Sequence, residues 1–468
     1  MTPAFQSYTL TSLDHLIQPI YLAGSSRFDL KGKDKTEVLN RLKTASDRLL
    51  VHLPFLGGFV VPAPPVDGKI NAYEVRNCED NGDPFLVVEE HPASTPLLLN
   101  GRLNPDFLPH APAYQPQDPC PVLRNKANIV GDALFLVQYF HHTVMDGLGG
   151  SVMCRTLAQL CRNPDTPANE LPTSVEAQKR MRQHLLKLES ATPSPLRWDP
   201  KPLELTPLDL SDPRNTTWNC RYQVRVEKVE ILRAACLMVR QAAQAGSAKG
   251  GGDVYLSPSL IVGAVFGLCS YRARQAARIH DGREPNIVVA VNLRKQLGLP
   301  STYMGNALVV VQCPLDAQII PDGNTSISHA PSGVHVKDLN QVCNIALYIL
   351  KEIKAYTPDY VAGMLATLGA LTDRTLVGLP WSGLAFSDTH KMPQYDDYGP
   401  LGEVQDFFIP GNAISGACWM LATKPLPGKK SLDWYELQIA LESAAMQELE
   451  RDRLFQWLID AGTSKSKL

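Results

Sequence analysis

His141-His142-Thr143-Val144-Met145-Asp146-Gly147 stands between two stretches of different character. Before it runs Ala133-Leu134-Phe135-Leu136-Val137-Gln138-Tyr139-Phe140, an apolar run that reads as a buried strand. After it comes Leu148-Gly149-Gly150-Ser151-Val152-Met153, the start of a helix. Strand, tight turn and helix in that order put an imidazole at a strand end and a carboxylate one turn later. A neutral imidazole facing a cleft can take a proton from a substrate hydroxyl. Asp146, where the turn meets the helix, can cap that helix or pair with a cation. The same HxxxDG spacing also fits two partly exposed histidines on an ordinary loop, so the rest of the chain has to decide.

The chain has 468 residues. That is about three typical domain lengths, and two domains are the natural expectation. Hydrophobic residues make up 44% of it, enough for a sizeable core. The formal net charge is -2, with no long basic block, so nucleic acid is not expected as a principal partner. Neither a signal-peptide pattern at Met1–Ser7 nor a membrane-spanning apolar stretch stands out, and a cytoplasmic protein is expected. The 10 cysteines, from Cys78 to Cys418, are scattered and sit mostly among apolar neighbours. They read as reduced, buried thiols, with no His/Cys/carboxylate cluster at metal-ligand spacing. The sequons at Asn215 and Asn324 read as chance.

Along the chain, apolar periodicity predicts a helix over about Thr36–Leu50 and strands near Phe59–Val61 and Phe85–Val88. From Ser190 to Pro213 prolines at 193, 195, 200, 202, 207 and 213 interrupt any period, as in an extended linker. The expected organisation is a first domain over 1–190, a linker over 191–213 and a second domain over 214–468. The second half again alternates helix (Ser257–Ile279, Val336–Tyr356) and strand (Ile287–Val291, Ala307–Val311, Tyr435–Leu441). It closes on a last helix carrying Met446, Leu449, Arg453 and Trp457. Such mixing in both halves argues for an α/β fold. The Gly246–Gly252 run reads as a surface loop; it lacks the ending of a phosphate-binding loop.

Two more segments bear chemistry. Asn292-Leu293-Arg294 follows a strand and leads to Tyr303-Met304-Gly305-Asn306. An arginine there can hold a carboxylate in a forked geometry, Asp146 being a partner on offer; a plain surface arginine fits as well. Farther on, Tyr395-Asp396-Asp397-Tyr398-Gly399-Pro400-Leu401-Gly402 has loop composition.

Taken together, these pieces resemble the BAHD family of coenzyme A-dependent acyltransferases, especially its fungal branch, typified by trichothecene 3-O-acetyltransferase. The resemblance covers nearly the whole chain in the family's order. Leu13-Asp14 lies near the start; His52-Leu53-Pro54-Phe55-Leu56-Gly57-Gly58 is similar to a P-x-L-A/G-G segment. His142 to Gly147 matches HxxxDG, and Asn292-Leu293-Arg294 with Tyr303-Met304-Gly305-Asn306 is similar to D-x-R … Y-x-G-N. Asp397-Tyr398-Gly399 matches the start of DFGWG. Asn292 departs from the usual aspartate, Pro400 from the DFGWG tryptophan, and Ser387-Asp388-Thr389-His390 from a Ser-Trp pair.

The resemblance implies two chloramphenicol-acetyltransferase-like α/β domains with mixed sheets and a tunnel at their interface. It implies acyl transfer from acyl-coenzyme A, acetyl by default, to a hydroxyl of a small secondary-metabolite acceptor. His142 would be the base, and Asp146, paired with Arg294, would fix its loop; Gly147, Asp397 and Gly399 would be architectural. His141, Asn306, Phe386, Ser387 and Thr389 are candidates for the tunnel wall, Ser387 or Thr389 as donors to the thioester oxygen. No permanent cofactor and no metal are implied, and a monomer is expected. HHxxxDG also belongs to nonribosomal peptide condensation domains, which take carrier-bound donors and form amides or rings. A non-catalytic binding protein on the same fold is a third reading.

Overall fold

Strands covered on both faces show up as unbroken apolar runs, and Ala133–His141 is one, buried at every position from Leu134 on. The computed structural model describes residues 5, 7–17, 19–66, 68–77, 84–99, 102–110, 119–199, 214, 216–244, 254–279, 285–319, 330–379, 383–410, 415–424, 432–459 and 466–467. Residues 1–4, Cys78, Asn215, Asn324, the Gly246–Gly252 run and the later part of the proline-rich stretch, 200–213, lie outside the described residues.

The strands that position the site are β1 (Tyr21–Asp29), β2 (Leu86–His91), β3 (Leu123–Val130), β4 (Ala133–His141), β5 (Thr217–Arg225) and β6 (Asn286–Asn292). They continue with β7 (Leu308–Pro314), β8 (Ala385–Asp388), β9 (Asp406–Phe408), β10 (Ala417–Leu421) and β11 (Trp434–Glu442). One open sheet has the order β9-β1-β4-β3-β2, and it is mixed, since β2 runs parallel to β3 while the other pairs are antiparallel. A second has the order β7-β6-β8-β10-β11-β5, with Ser466–Lys467 added at its edge. There β6, β8 and β10 are parallel and the remaining pairs antiparallel. The fold is therefore α/β with mixed sheets.

The helices follow from caps and apolar stripes. Asp34 accepts from the backbone amides of Thr36 and Glu37, which starts α1 (Lys35–His52) one residue before the expected position. Next come α2 (Gly147–Arg162), α3 (Val175–Leu188), α4 (Pro258–Ala276), α5 (Val336–Lys354) and α6 (Pro358–Ala370). Buried from Leu260 through Ser270, α4 lies in the core of the second sheet. The expected single C-terminal helix is two, Ser443–Leu449 and Arg453–Leu458. Asp452 breaks it by capping the second piece, accepting from the amides of Leu454 and Phe455.

Among the described residues nine cysteines are present, eight of them buried and none in a disulfide. No helix there is long and apolar enough to cross a membrane.

The two cores exchange chain. Met304, Tyr398, Leu401 and Phe407 pack into the core of the first sheet, while Leu13, Leu16 and Leu185 join the core of the second. The short strand β9 lies beside β1, with Asp406 opposite Arg27. Arg221 of β5 ties the sheets, donating to both Asp406 oxygens at 2.8 and 3.0 Å and pairing with Glu436. Burial pushes the Glu436 carboxyl above its ordinary 4.5, against the pull of Arg221. In Arg221→Met that carboxyl rises further. A folded-state pKa above the unfolded one gives stability at low pH that is lost as pH climbs through it. The melting-temperature deficit of Arg221→Met is expected to be larger at pH 8 than at pH 5. An equal deficit at both would show that Glu436 does not sense the lost charge.

Candidate active site

β4 delivers His141 and His142 to the end of the first sheet, and the strand's period of two sends them to opposite faces. On one face Gln138, Phe140 and His142 border a cavity of about 360 Å³. On the other, His141 is fully buried, its ring edge-on to Tyr21 with centroids 5.1 Å apart. Among the described residues neither of its ring nitrogens has a hydrogen-bond partner, and burial brings its pKa down to about 3. The tunnel-wall reading of His141 is therefore corrected: it is a neutral packing residue behind the strand.

The half-buried His142 ring lies Nδ1 to the Met145 carbonyl at 3.2 Å. A carbonyl oxygen only accepts, so Nδ1 carries the proton and Nε2 is the basic nitrogen. Burial lowers the pKa of His142; Asp146 and the Met145 carbonyl oppose that but do not reverse it. The imidazole is thus held neutral at ordinary pH.

Asp146 does two jobs at once. One oxygen accepts from the Gly149 amide at 2.8 Å, capping α2. Both oxygens take the guanidinium of Arg294, at 2.9 and 2.8 Å, and the second also accepts from the Ala307 amide at 3.2 Å. The pair is buried, its side chains 4% and 3% exposed, so it stands without water to screen it. Arg294 spends its remaining donors on the carbonyls of Tyr303 and Gly305 and on the Asn292 side chain. Asn292 is neutral where the family pattern has aspartate. It still accepts from Arg294, leaving one carboxylate to balance one guanidinium.

A second buried ion pair lies behind the loop. Arg182 of α3 donates to Asp14 at 2.6 Å and to the Val144 carbonyl at 3.3 Å. The other Asp14 oxygen accepts from the backbone and side-chain amides of Asn306. Asn306 in turn donates to the carbonyls of His142 and Thr143, at 2.8 and 3.1 Å. Each carbonyl from His142 to Met145 is thus engaged. Asn306 is fully buried and does not border the cavity, so it too is corrected from tunnel wall to tether of the His142 loop.

Across the cavity stand β6, β7, β8 and β10 of the second sheet, contributing Val291, Leu308, Phe386, Ser387, Thr389 and Trp419. Both halves of the chain therefore build the walls. Thr389 donates its hydroxyl to the Met420 carbonyl at 2.9 Å and has no proton left for a ligand. Ser387 is half-buried, and among the described residues its hydroxyl has no hydrogen-bond partner. Of the two candidate donors, Ser387 is the one available.

The Asp397 loop sits elsewhere, against α2. Asp397 is exposed and accepts from the Gly399 amide at 3.0 Å, while Tyr398 is buried, its hydroxyl donating to the Cys154 carbonyl. Gly399 has φ +63°, and a Cβ there would lie 3.0 Å from Arg162 Cα and the Cys161 carbonyl.

Sequence reasoning passed over Arg182, Gln138 and Gly149. Gly149 is the tight spot of the turn: a Cβ on it would lie 1.9 Å from the Met304 carbonyl oxygen. At Gly147 the nearest atom would be the flexible end of Met392, 3.5 Å away. Gly149→Ala is expected to force α2 off the 304 segment, lowering the melting temperature by several degrees, whereas Gly147→Ala leaves it nearly unchanged. The reverse order would overturn this packing account.

The model of the Transferase family matches residues 3–322. Fumigaclavine B O-acetyltransferase of Aspergillus fumigatus is 26% identical, over 98% of this chain and 99% of its own length. Communesin N16 acyltransferase of Penicillium expansum is 27% identical, over 98% of each. Among solved structures, TRI101 of F. sporotrichioides in complex with coenzyme A and T-2 aligns over 97% of this chain and 99% of its own. The TM-score is 0.68 at 17% identity, a shared fold. The family match runs unbroken from the Asp14 turn through the His142 loop to the Arg294 segment that clamps it, and on that ground the chain belongs to the Transferase family, the BAHD-type acyltransferases its motifs resemble.

Proposed function

We propose that the chain transfers an acyl group, acetyl by default, from acyl-coenzyme A to a hydroxyl of a small secondary-metabolite acceptor, with His142 as general base. One observation carries this reading: a neutral imidazole with its basic Nε2 borders a largely apolar cavity built by two sheets. Nε2 would take the hydroxyl proton as the oxygen attacks the thioester carbonyl. The carbon–sulfur bond then breaks, and the proton passes from the imidazolium to the departing thiolate or to solvent. Ser387 would donate to the thioester oxygen as negative charge gathers there. Asp146 and Arg294 would keep the loop aimed without touching the proton. Coenzyme A is the donor that fits the relatives, TRI101 having been solved with it. One relative is named an O-acetyltransferase and another an N16 acyltransferase, so the acceptor atom needs its own test.

The same reading takes residues 1–190 and 214–468 as two domains joined by 191–213, with a tunnel between them for donor and alcohol. It also takes the protein as a cytoplasmic monomer. The direct test is incubation with several acyl-coenzyme A thioesters and a panel of alcohols and amines, following thiol release and product mass. Turnover of only a carrier-bound acyl group would favour the condensation reading, and none at all the binding-protein reading.

His142→Ala is expected to cut kcat by about 100-fold or more, the usual size of a general-base effect, with an unchanged melting temperature. Retention of a tenth of wild-type turnover would remove His142 from the role. Because the base must be neutral and its pKa is lowered, kcat/KM should rise with pH along a limb centred below 6.5 and stay flat above it. A limb centred higher contradicts the assignment. Ser387→Ala should lower kcat about tenfold or more, whereas Thr389→Val, whose hydroxyl is spent on Met420, should leave kcat within about twofold. Equal losses would mean that neither hydroxyl meets the thioester.

A further inference from the structure

One polar side chain of the cavity takes no part in the reaction above. Gln138 lies on β4, opposite Gly24 of β1 and Asn125 of β3, and is 2% exposed. It borders the same cavity as His142. A side-chain amide brings two N–H donors and an oxygen with two lone pairs, and buried amides ordinarily fill these with oxygen or nitrogen partners. Among the described residues Gln138 has only sulfur. Its Nε2 donates to the Met153 thioether at 3.1 Å, and its Oε1 accepts from the Cys154 thiol at 2.9 Å. A thioether is a weak acceptor and a thiol a weak donor. One N–H and one lone pair therefore stay open, beside apolar walls from Leu22, Phe140 and Phe407. A leucine or methionine would fill the same volume without burying an amide.

We infer that Gln138 is a specificity-determining residue that binds a polar group of the acceptor, a ring N–H, ring carbonyl or second hydroxyl, remote from the hydroxyl that reacts. This rests on the acyl-transfer reading. Four strand positions separate Gln138 from His142, roughly 13 Å at about 3.3 Å per residue. A molecule touching both is a rigid skeleton of several fused rings rather than a short alcohol. The cavity volume, about 360 Å³, suits one such molecule. The acetyl carbonyl reacts beside His142, roughly 13 Å along the strand, out of this amide's reach. The amides of the pantetheine arm carry the same chemistry, but Gln138 sits in mid-sheet with a strand on either side, on an interior wall, whereas the coenzyme's phosphates need open water.

The test takes the acceptor that the alcohol panel yields, with acetyl-coenzyme A as donor. Gln138→Met and Gln138→Leu should raise the KM for that acceptor tenfold or more while kcat and the KM for acetyl-coenzyme A stay within twofold. The melting temperature should hold or rise, since a buried amide has been removed. Analogues of the acceptor lacking its remote polar groups one at a time should include one on which wild type and variants perform alike. An unchanged acceptor KM overturns the inference. So does a raised KM for acetyl-coenzyme A, which assigns the amide to pantetheine, and so does the same loss on every analogue. A panel in which no alcohol or amine reacts with any thioester brings down the acyl-transfer reading itself, a distinct failure.

Discussion

The forked pair between Arg294 and Asp146 joins residues 148 positions apart, and most of the site's order depends on it. Asp146 alone would be a helix cap. Arg294 alone would be a turn residue. Brought together out of water, they fix the first turn of α2 against the segment after β6, and the two sheets are registered at the place where the cavity opens. A buried pair of this kind adds little net stability, because desolvating two charges offsets their attraction, while losing one partner leaves the other uncompensated at about 3–5 kcal/mol. Its contribution is geometric: it permits one arrangement of loop, helix and strand.

The Asp14–Arg182 pair extends that constraint to the N-terminal turn and to α3. Through Asn306 and the Arg182 guanidinium it holds the peptide carbonyls of the His142 loop. A loop whose carbonyls are each engaged cannot readily turn its histidine elsewhere. The imidazole is thereby aimed by backbone rather than by a carboxylate at Nδ1. It stays a weaker base than one with a carboxylate at that nitrogen, but it is neutral, which is the state a proton acceptor needs.

Much of this was legible in the sequence, and the reasons differ by residue. The strand, turn and helix around His142 follow from apolar periodicity, and Arg294 was offered to Asp146 because both sit just past strands. The choice between His141 and His142 was also available, since a period of two puts Gln138, Phe140 and His142 on one face and Tyr139 with His141 on the other. Gln138 was visible too, as a polar letter in an apolar run, though its sulfur partners depend on where α2 lands. Arg182 was not legible: it follows Lys179 and Arg180 on a polar helix, and only tertiary contact separates a buried guanidinium from its solvated neighbours. Asn306 was read as cavity wall because a segment after a strand usually faces a cleft; here its amides turn inward to serve three oxygens. The break at Asp452 was hidden because apolar spacing continues across it while the cap interrupts the hydrogen bonds.

The three residues of β9 have a consequence for how the protein comes off the ribosome. Strand β1 is synthesised long before Asp406–Phe408, and among the described residues that late strand is what pairs with its outer edge, at Ser25, Ser26 and Arg27. Until then the first sheet carries an open row of amides and carbonyls, the kind of edge that recruits strands from other chains. A nascent chain stalled short of Asp406 could complete its β1–β4 pairing and still be adhesive. The chain thus covers with its own late strand part of an edge that would otherwise need a chaperone's attention.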